Sequence, residues 1–414
     1  MRPTSCRALA MTTSSEFLDV AATLAARLAN TAVWHGERCN WIGVVPRDPA
    51  QTRGRKMLEA LGPDLYGGTA GVALFLAEAA AALGDERLSM TARGAIGHAL
   101  DHAADTDSDG LHAGQPGIAY AAARVAIVLD SELALCGAGE VLRDWWAQRG
   151  VATEWDVIGG CAGAVSALVA LSHLLGDSTL LHSAMIVGDE LIAAAVRCDG
   201  GLFWPDATRA SVHGLCGFSH GAAGIGHALV ELWGASGEAR FREAGVGAFD
   251  YERSWFERRD GTWPDLREIQ RRAGRDVPAP VSPTWCHGAP GIALSRLRAA
   301  RLIESEAVRG DAEAALALTR RHVSELSSRA HDDFSLCHGA AGAADALLYG
   351  ADTSGLAERI GEVGIEHHHR PASGFPCGIP HGETPGLFIG LAGIGLFYLR
   401  LSDPVIPTAL IIHR

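Results

Sequence analysis

The longest apolar stretch in this 414-residue chain, Val72 to Leu83, is short and carries Glu78. No segment reaches the roughly 18 consecutive apolar residues that a membrane-crossing helix needs, which argues against insertion into a membrane. The first fifteen residues, MRPTSCRALAMTTSS, lack the apolar core of a signal peptide, and residues 1–14 are expected to be disordered. Basic residues form no dense cluster and the net charge is −13, which argues against nucleic acid and anionic membranes as partners. Nine cysteines, at 6, 39, 136, 161, 198, 216, 286, 337 and 377, form an odd, scattered set. That distribution does not suit a disulfide framework; it suits free thiols with a few metal ligands, in a cytoplasmic protein.

What the chain does have is a repeat. Gly-x-x-Gly occurs at Gly68–Gly71, Gly114–Gly117, Gly160–Gly163, Gly221–Gly224, Gly288–Gly291, Gly339–Gly342 and Gly390–Gly393. First-glycine spacings are 46, 46, 61, 67, 51 and 51 residues. A unit of this length cannot bury its own apolar face, so the copies must pack on one another. The positions just ahead of each first glycine then gather at one place.

Segments that follow the glycines are apolar nearly all round: Val72–Ala82, Ile118–Val128, Ala164–Leu175, Ile225–Leu232, Ile292–Leu297 and Ile394–Leu401. Such helices are buried between other helices. Between them lie amphipathic stretches, Phe17–Val33, Arg87–Ala104, Ser178–Val196, Glu238–Arg258 and Asp311–Arg329, with apolar residues at three- and four-residue spacing. Two alternating classes predict an all-α fold, an α/α toroid in which seven inner helices are ringed by seven outer ones. The length alone would suggest two or three domains, but the repeat runs through the chain, so residues 15–414 read as one domain. Two segments interrupt the pattern. Residues 260–283, with Arg267, Arg271, Arg272 and Arg275, and residues 370–386, rich in Pro and Gly, read as loops over one rim.

Chemistry concentrates immediately before the glycines. Cys286–His287 and Cys337–His338 occupy the same register in consecutive repeats. Two cysteines and a histidine at one end of neighbouring helices make a soft site for zinc, with three protein ligands and a fourth position open. The alternative is two buried thiols acting as small apolar residues. His220, in GFSHGAAG, shares the register and can serve as acid or base near neutral pH. Asp156, four residues ahead of Gly160, can orient a histidine or hold a proton, or it can simply cap a helix. His112 is a further candidate; Cys161, Cys216, Cys377 and His381 read as structural.

Taken in order, the segments GPDLYGGTAGVALFLA, GLHAGQPGIAYA, WDVIGGCAGAVSALVAL, GFSHGAAGIGHALVEL, TWCHGAPGIALSRL, SLCHGAAG and FPCGIPHGETPGLFIGLAGIGLFYLRLSDP resemble the lanthionine synthetase cyclases. They are most similar to the C-terminal cyclase domain of class II lanthipeptide synthetases. The resemblance implies a zinc enzyme on an α/α toroid, with metal ligands at Cys286, Cys337 and His338. It places the acid/base histidine at His220 and an assisting aspartate at Asp156, with His287 a neighbour of the zinc and not a ligand.

The implied reaction is addition of a substrate cysteine thiolate to a dehydroalanine or dehydrobutyrine of the same peptide, giving lanthionine or methyllanthionine. The partner is then a dehydrated precursor peptide, and because the chain has no room for a dehydratase domain, a separate dehydratase is expected. Two alternatives remain at this level: addition of glutathione or another thiol to dehydrated peptides, or a non-catalytic, zinc-containing peptide-binding scaffold. The basic segment 260–283 is a candidate to recognise an acidic leader through Arg271 and Arg272. A closed toroid gives no reason to need a partner subunit, so a monomer is expected.

Overall fold

In a computed structural model, residues 14–44, 58–205, 213–259, 261–272, 275–279, 283–328, 330–371, 373–380 and 382–413 are described. The expected disordered N-terminus falls almost wholly outside them. The helices in chain order are α1 (Ser14–Thr31), α2 (Thr69–Leu83), α3 (Glu86–Asp101), α4 (Gln115–Leu129), α5 (Glu132–Gln148), α6 (Cys161–Leu175) and α7 (Ser178–Ala194). They continue with α8 (Ala222–Ser236), α9 (Ala239–Ser254), α10 (Ala289–Leu302), α11 (Glu306–Leu326), α12 (Ala340–Tyr349), α13 (Leu356–Gly364) and α14 (Leu391–Ser402). Even-numbered helices pack side by side in sequence, and α14 returns to α2, so the inner ring closes. Each odd-numbered helix from α3 onward covers the inner helix before it, while α1 covers α14. The fold is the α/α toroid that the two helix classes predict.

The division follows from residue patterning. In α6 every residue from Cys161 to Leu171 is buried, whereas α1 buries only Phe17, Val20, Ala21, Leu24, Ala25 and Leu28, a single stripe. The chain ends are joined through that stripe. Phe17 packs against Tyr398 of α14, ring centroids 6.2 Å apart, and Ser14 Oγ donates to the Ser402 carbonyl at 2.9 Å.

The repeat glycines are required by close approach. A Cβ on Gly117 would stand 1.5 Å from the Leu111 carbonyl oxygen, and one on Gly342 would stand 1.8 Å from that of Leu336. In each repeat the loop folds back so that the carbonyl six residues earlier rests on the second glycine. This brings the residues ahead of each inner helix to a single rim.

Two features differ from the sequence expectations. Helices α5 and α13 complete the outer ring although their spacing is not evident from the chain. The inward residues of α5 are Ala134, Ala138, Val141, Leu142 and Trp145, but exposed Leu133 and Leu135 blur that stripe. Residues 260–283 are not a plain loop: β7 (Asp265–Arg272) pairs antiparallel with β8 (Arg275–Ala279). Pro278 is tolerated there because a two-stranded ribbon consists only of edge strands. Three smaller antiparallel pairs precede it: β1 (Val33–His35) with β2 (Arg38–Asn40), β3 (Ile42–Val44) with β4 (Leu58–Ala60), and β5 (Val196–Cys198) with β6 (Gly201–Phe203). Among the described residues no helix is long and apolar enough to cross a membrane.

Candidate active site

The residues two positions ahead of the repeat glycines are Tyr66, His112, Ile158, Ser219, Cys286, Cys337 and Phe388. Backbone hydrogen bonds link them around the rim. Cys337 N–H donates to the Phe388 carbonyl (2.9 Å), Phe388 to Tyr66 (2.8 Å), Tyr66 to His112 (3.0 Å) and His112 to Ile158 (3.1 Å). Val157 donates to Ser219 (3.1 Å) and Ser219 to Cys286 (3.0 Å). Among the described residues no backbone bond joins Cys286 to Cys337. At that junction the side chains meet instead.

The two thiols are close enough to shift each other's titration in opposite directions. The Cys337 partner, against the effect of burial, lowers the Cys286 pKa to about 6, and the Thr284 hydroxyl, 3.3 Å from its sulfur, assists. Cys337 is correspondingly raised. His338 lies beside them. Its Nδ1–H donates to Asp333, which raises the imidazole pKa and turns Nε2 away from that bond. The 370–386 loop passes over this edge at Gly378, where a Cβ would stand 2.6 Å from His338 Cε1 and 3.2 Å from Nε2. Glycine leaves that space open.

On the adjacent rim, His220 Nδ1 donates to Asp156 Oδ2 at 2.5 Å. The other oxygen of Asp156 accepts from the Gly159 and Gly160 N–H groups at 2.8 and 3.2 Å. Asp156 therefore both secures the start of α6 and orients the histidine. His287 stacks on His220, with centroids 5.5 Å apart and planes 21° apart. The strand-like segment carrying His220 is pinned from the outer ring. Gly217 N–H donates to Glu252 Oε1 (2.7 Å), and Glu252, fully buried, pairs with Arg296 at 2.6 Å. A cleft of about 380 Å³ opens over His220, Asp156 and His287, bordered by Trp204 and by Arg267 of β7.

His112, read as a weaker candidate, is 1% exposed, and neither ring nitrogen has a protein hydrogen-bond partner. Burial pushes its pKa down to about 3. It lies edge-on to Trp285 (5.4 Å) and Phe388 (4.5 Å) beneath the thiols. Cys161 and Cys377 are buried thiols pushed up to about 12, and Cys216 is raised further by burial; none is reactive in this form. His381 and the side chains of Arg271, Arg272 and Arg275 lie outside the described residues.

Sequence reasoning missed Asp333, Gly378 and Tyr66. Tyr66 had a signal, since it shares the register of Cys286 and Cys337. It stands in the first repeat, however, and only closure of the ring stacks it on Phe388, whose carbonyl accepts the Cys337 N–H.

Whether these residues suit a metal can be judged from the donor set. Among the described residues no group of three or more His, Cys, Asp and Glu side chains is placed to hold a metal ion. The donors still fit zinc in kind. Cys286 and Cys337 are close enough to shift each other's titration, the His338 imidazole has its other nitrogen fixed by a carboxylate, and its free edge faces space that a Cβ on Gly378 would fill.

The model of the family "Lanthionine synthetase C-like protein" matches residues 59–411. The chain belongs to this family. Among solved structures it is similar to one described as nisin cyclase, at 18% identity and a TM-score of 0.63, covering 86% of this chain and 92% of that one. That likeness confirms the α/α toroid. An unsaturated glucuronyl hydrolase from Bacillus sp. GL1 aligns at 14% identity and a TM-score of 0.48, covering 97% and 99% of the two chains, too distant to bear on the chemistry. No curated protein matches the chain.

Proposed function

We propose that this chain is a zinc-dependent lanthipeptide cyclase of the class II type, joining a peptide cysteine to a dehydroalanine or dehydrobutyrine of the same dehydrated precursor. What supports the reading is that Cys286, Cys337 and an Asp333-bonded His338 share one rim with an Asp156-oriented His220. Cys286, Cys337 and His338 would hold the metal. When bound, zinc supplies positive charge that lowers the pKa of a fourth, thiol ligand.

The chain's own residues account for the protons. Asp156 keeps the proton on His220 Nδ1, so Nε2 is the nitrogen that exchanges with the substrate. Nε2 takes the proton of the incoming thiol. As the sulfur attacks the β-carbon, a C–S bond forms and the alkene π electrons move onto the α-carbon and its carbonyl. His220 then returns its proton to the α-carbon, which restores the starting imidazole and closes the cycle. His287, stacked on His220, restricts the ring to this orientation. Trp204 and His287 give the cleft apolar and aromatic walls that limit water around the developing enolate.

Eight described cysteines are free, which supports a reducing, cytoplasmic setting. The deciding experiment is zinc content, measured for the native protein and for Cys337→Ala, followed by mass and thiol-alkylation assays on a dehydrated peptide. One equivalent of zinc, lost in the variant, together with thiol disappearance without mass change, supports the reading. Native protein free of zinc, or a mass gain equal to an added external thiol, overturns it.

A further inference from the structure

Two neighbouring residues of an outer helix hold the loop that carries His220. In α9, Tyr251 Oη donates to the Gly214 carbonyl at 2.8 Å, and Glu252 Oε1 accepts the Gly217 N–H at 2.7 Å. The other face of the loop rests on the next repeat. Ser219 N–H and the Ser219 hydroxyl both donate to the Cys286 carbonyl, at 3.0 and 3.1 Å. Gly217 has φ +99°, and a Cβ there would stand 2.6 Å from His287 Cα. The loop is clamped between the outer ring and the backbone of residues 286–287, with His220 three positions beyond the clamp.

Glu252 anchors this loop with a charge in the core. Its side chain and that of Arg296 are both fully buried, and they pair at 2.6 Å through Oε2 and Nη2. Arg296 reaches on to Asp311 at 3.4 Å, which Arg253 grips with two bonds of 2.8 and 2.9 Å. A buried ion pair adds little net stability, because desolvation of both charges offsets their attraction. What the pair supplies is direction: Arg296 fixes one carboxylate oxygen, so the other meets a single N–H.

We infer that Glu252, held by Arg296, is a positioning residue for His220. It sets where the imidazole stands over the cleft, and so the rate of proton transfer, separately from whether the chain folds. The inference rests on the cyclase reading, in which His220 moves the proton. Displacing a reacting group by about 1 Å can cost on the order of a hundredfold in rate.

The test replaces the pair by apolar residues, Glu252→Met together with Arg296→Met. Such exchanges are often neutral or stabilising, and Asp311 keeps both bonds to Arg253. The expected protein has a denaturant midpoint close to wild type and a kcat for ring formation about ten- to a hundredfold lower at unchanged KM. Its deuterium exchange is faster over residues 214–220 and unchanged elsewhere on the rim. Glu252→Gln keeps the shape and loses the charge; it shows the same pattern in smaller degree and carries the test if the double variant does not fold. Wild-type kcat and wild-type exchange over 214–220 in a folded variant overturn the inference, as does a rate that falls only in proportion to the folded fraction. Wild-type protein that forms no ring removes the cyclase reading, while the exchange result still decides whether Glu252 holds the loop.

Discussion

His220 and Asp156, 64 residues apart in the chain, meet at 2.5 Å through Nδ1 and Oδ2. The contact exists because the loops before α6 and α8 are neighbours on the rim, where Val157 N–H donates to the Ser219 carbonyl at 3.1 Å. A backbone rung thus sets the distance between a base and the carboxylate that selects its tautomer.

Loss of the proton-transferring group should reduce ring formation far more than peptide binding. For His220→Ala the expected fall in kcat is roughly a hundred- to ten-thousand-fold. For Asp156→Asn a smaller fall is expected, with some loss of stability because the amide no longer offers a charged acceptor to the Gly159 and Gly160 N–H groups. Single-turnover cyclisation of a dehydrated peptide, followed by alkylation of residual thiols, reads both. Unchanged turnover in His220→Ala would remove it from the mechanism.

Gly378→Ala tests the space beside His338. The added Cβ would fall 2.6 Å from Cε1, so the imidazole must move from the position Asp333 gives it. Zinc affinity is expected to drop about tenfold, while Gly150→Ala, where an added Cβ meets nothing within 4 Å, leaves it unchanged. Chelator competition on both variants checks this.

Burial of His112 should make the fold acid-sensitive. Burial, with the nearby His220 charge adding to it, pushes its pKa down to about 3 from the ordinary 6.5, so the native state disfavours the imidazolium. Between these values the unfolded chain binds a proton that the folded chain does not, and stability is lost as pH falls through 6.5 toward 3. At about 1.36 kcal/mol per pKa unit, the full effect is on the order of 4–5 kcal/mol. His112→Phe removes the titration and preserves the aromatic contacts with Trp285 and Phe388. The variant should unfold at a higher temperature than wild type at pH 4.5, and the advantage should shrink toward pH 7.5. A parallel pH dependence in the two proteins would refute the assignment.

Ring closure through α1 predicts a global effect from a residue far from the chemistry. Phe17 is 3% exposed and packs on Tyr398. Phe17→Ala is expected to cost about 3–5 kcal/mol, the usual range for removing a buried phenylalanine. Denaturant melts give the value. Loss confined to α1 exchange, with the midpoint unchanged, would mean that the toroid closes without it.

Much of the architecture was legible because it follows from local rules. The Gly-x-x-Gly spacing marks where inner helices begin, and the all-apolar segments after it can only be buried. The register alone puts Cys286, Cys337, His338 and His220 at one end of the inner helices. Residues 260–283 were harder, since short strands with prolines carry a weak periodic signal, and their antiparallel pairing depends on the partner strand.

The sequence by itself determined the helix classes, the repeat register and the residue types available for chemistry, because these depend on spacing along one chain. Only the tertiary structure decided which distant residues touch: Tyr66 with Phe388, Asp333 with His338, Gly378 against that imidazole, and Asp156 with His220. Those contacts depend on how seven helices close into a ring with α14 against α2. Closure is a property of packing between distant segments, and no local pattern records it.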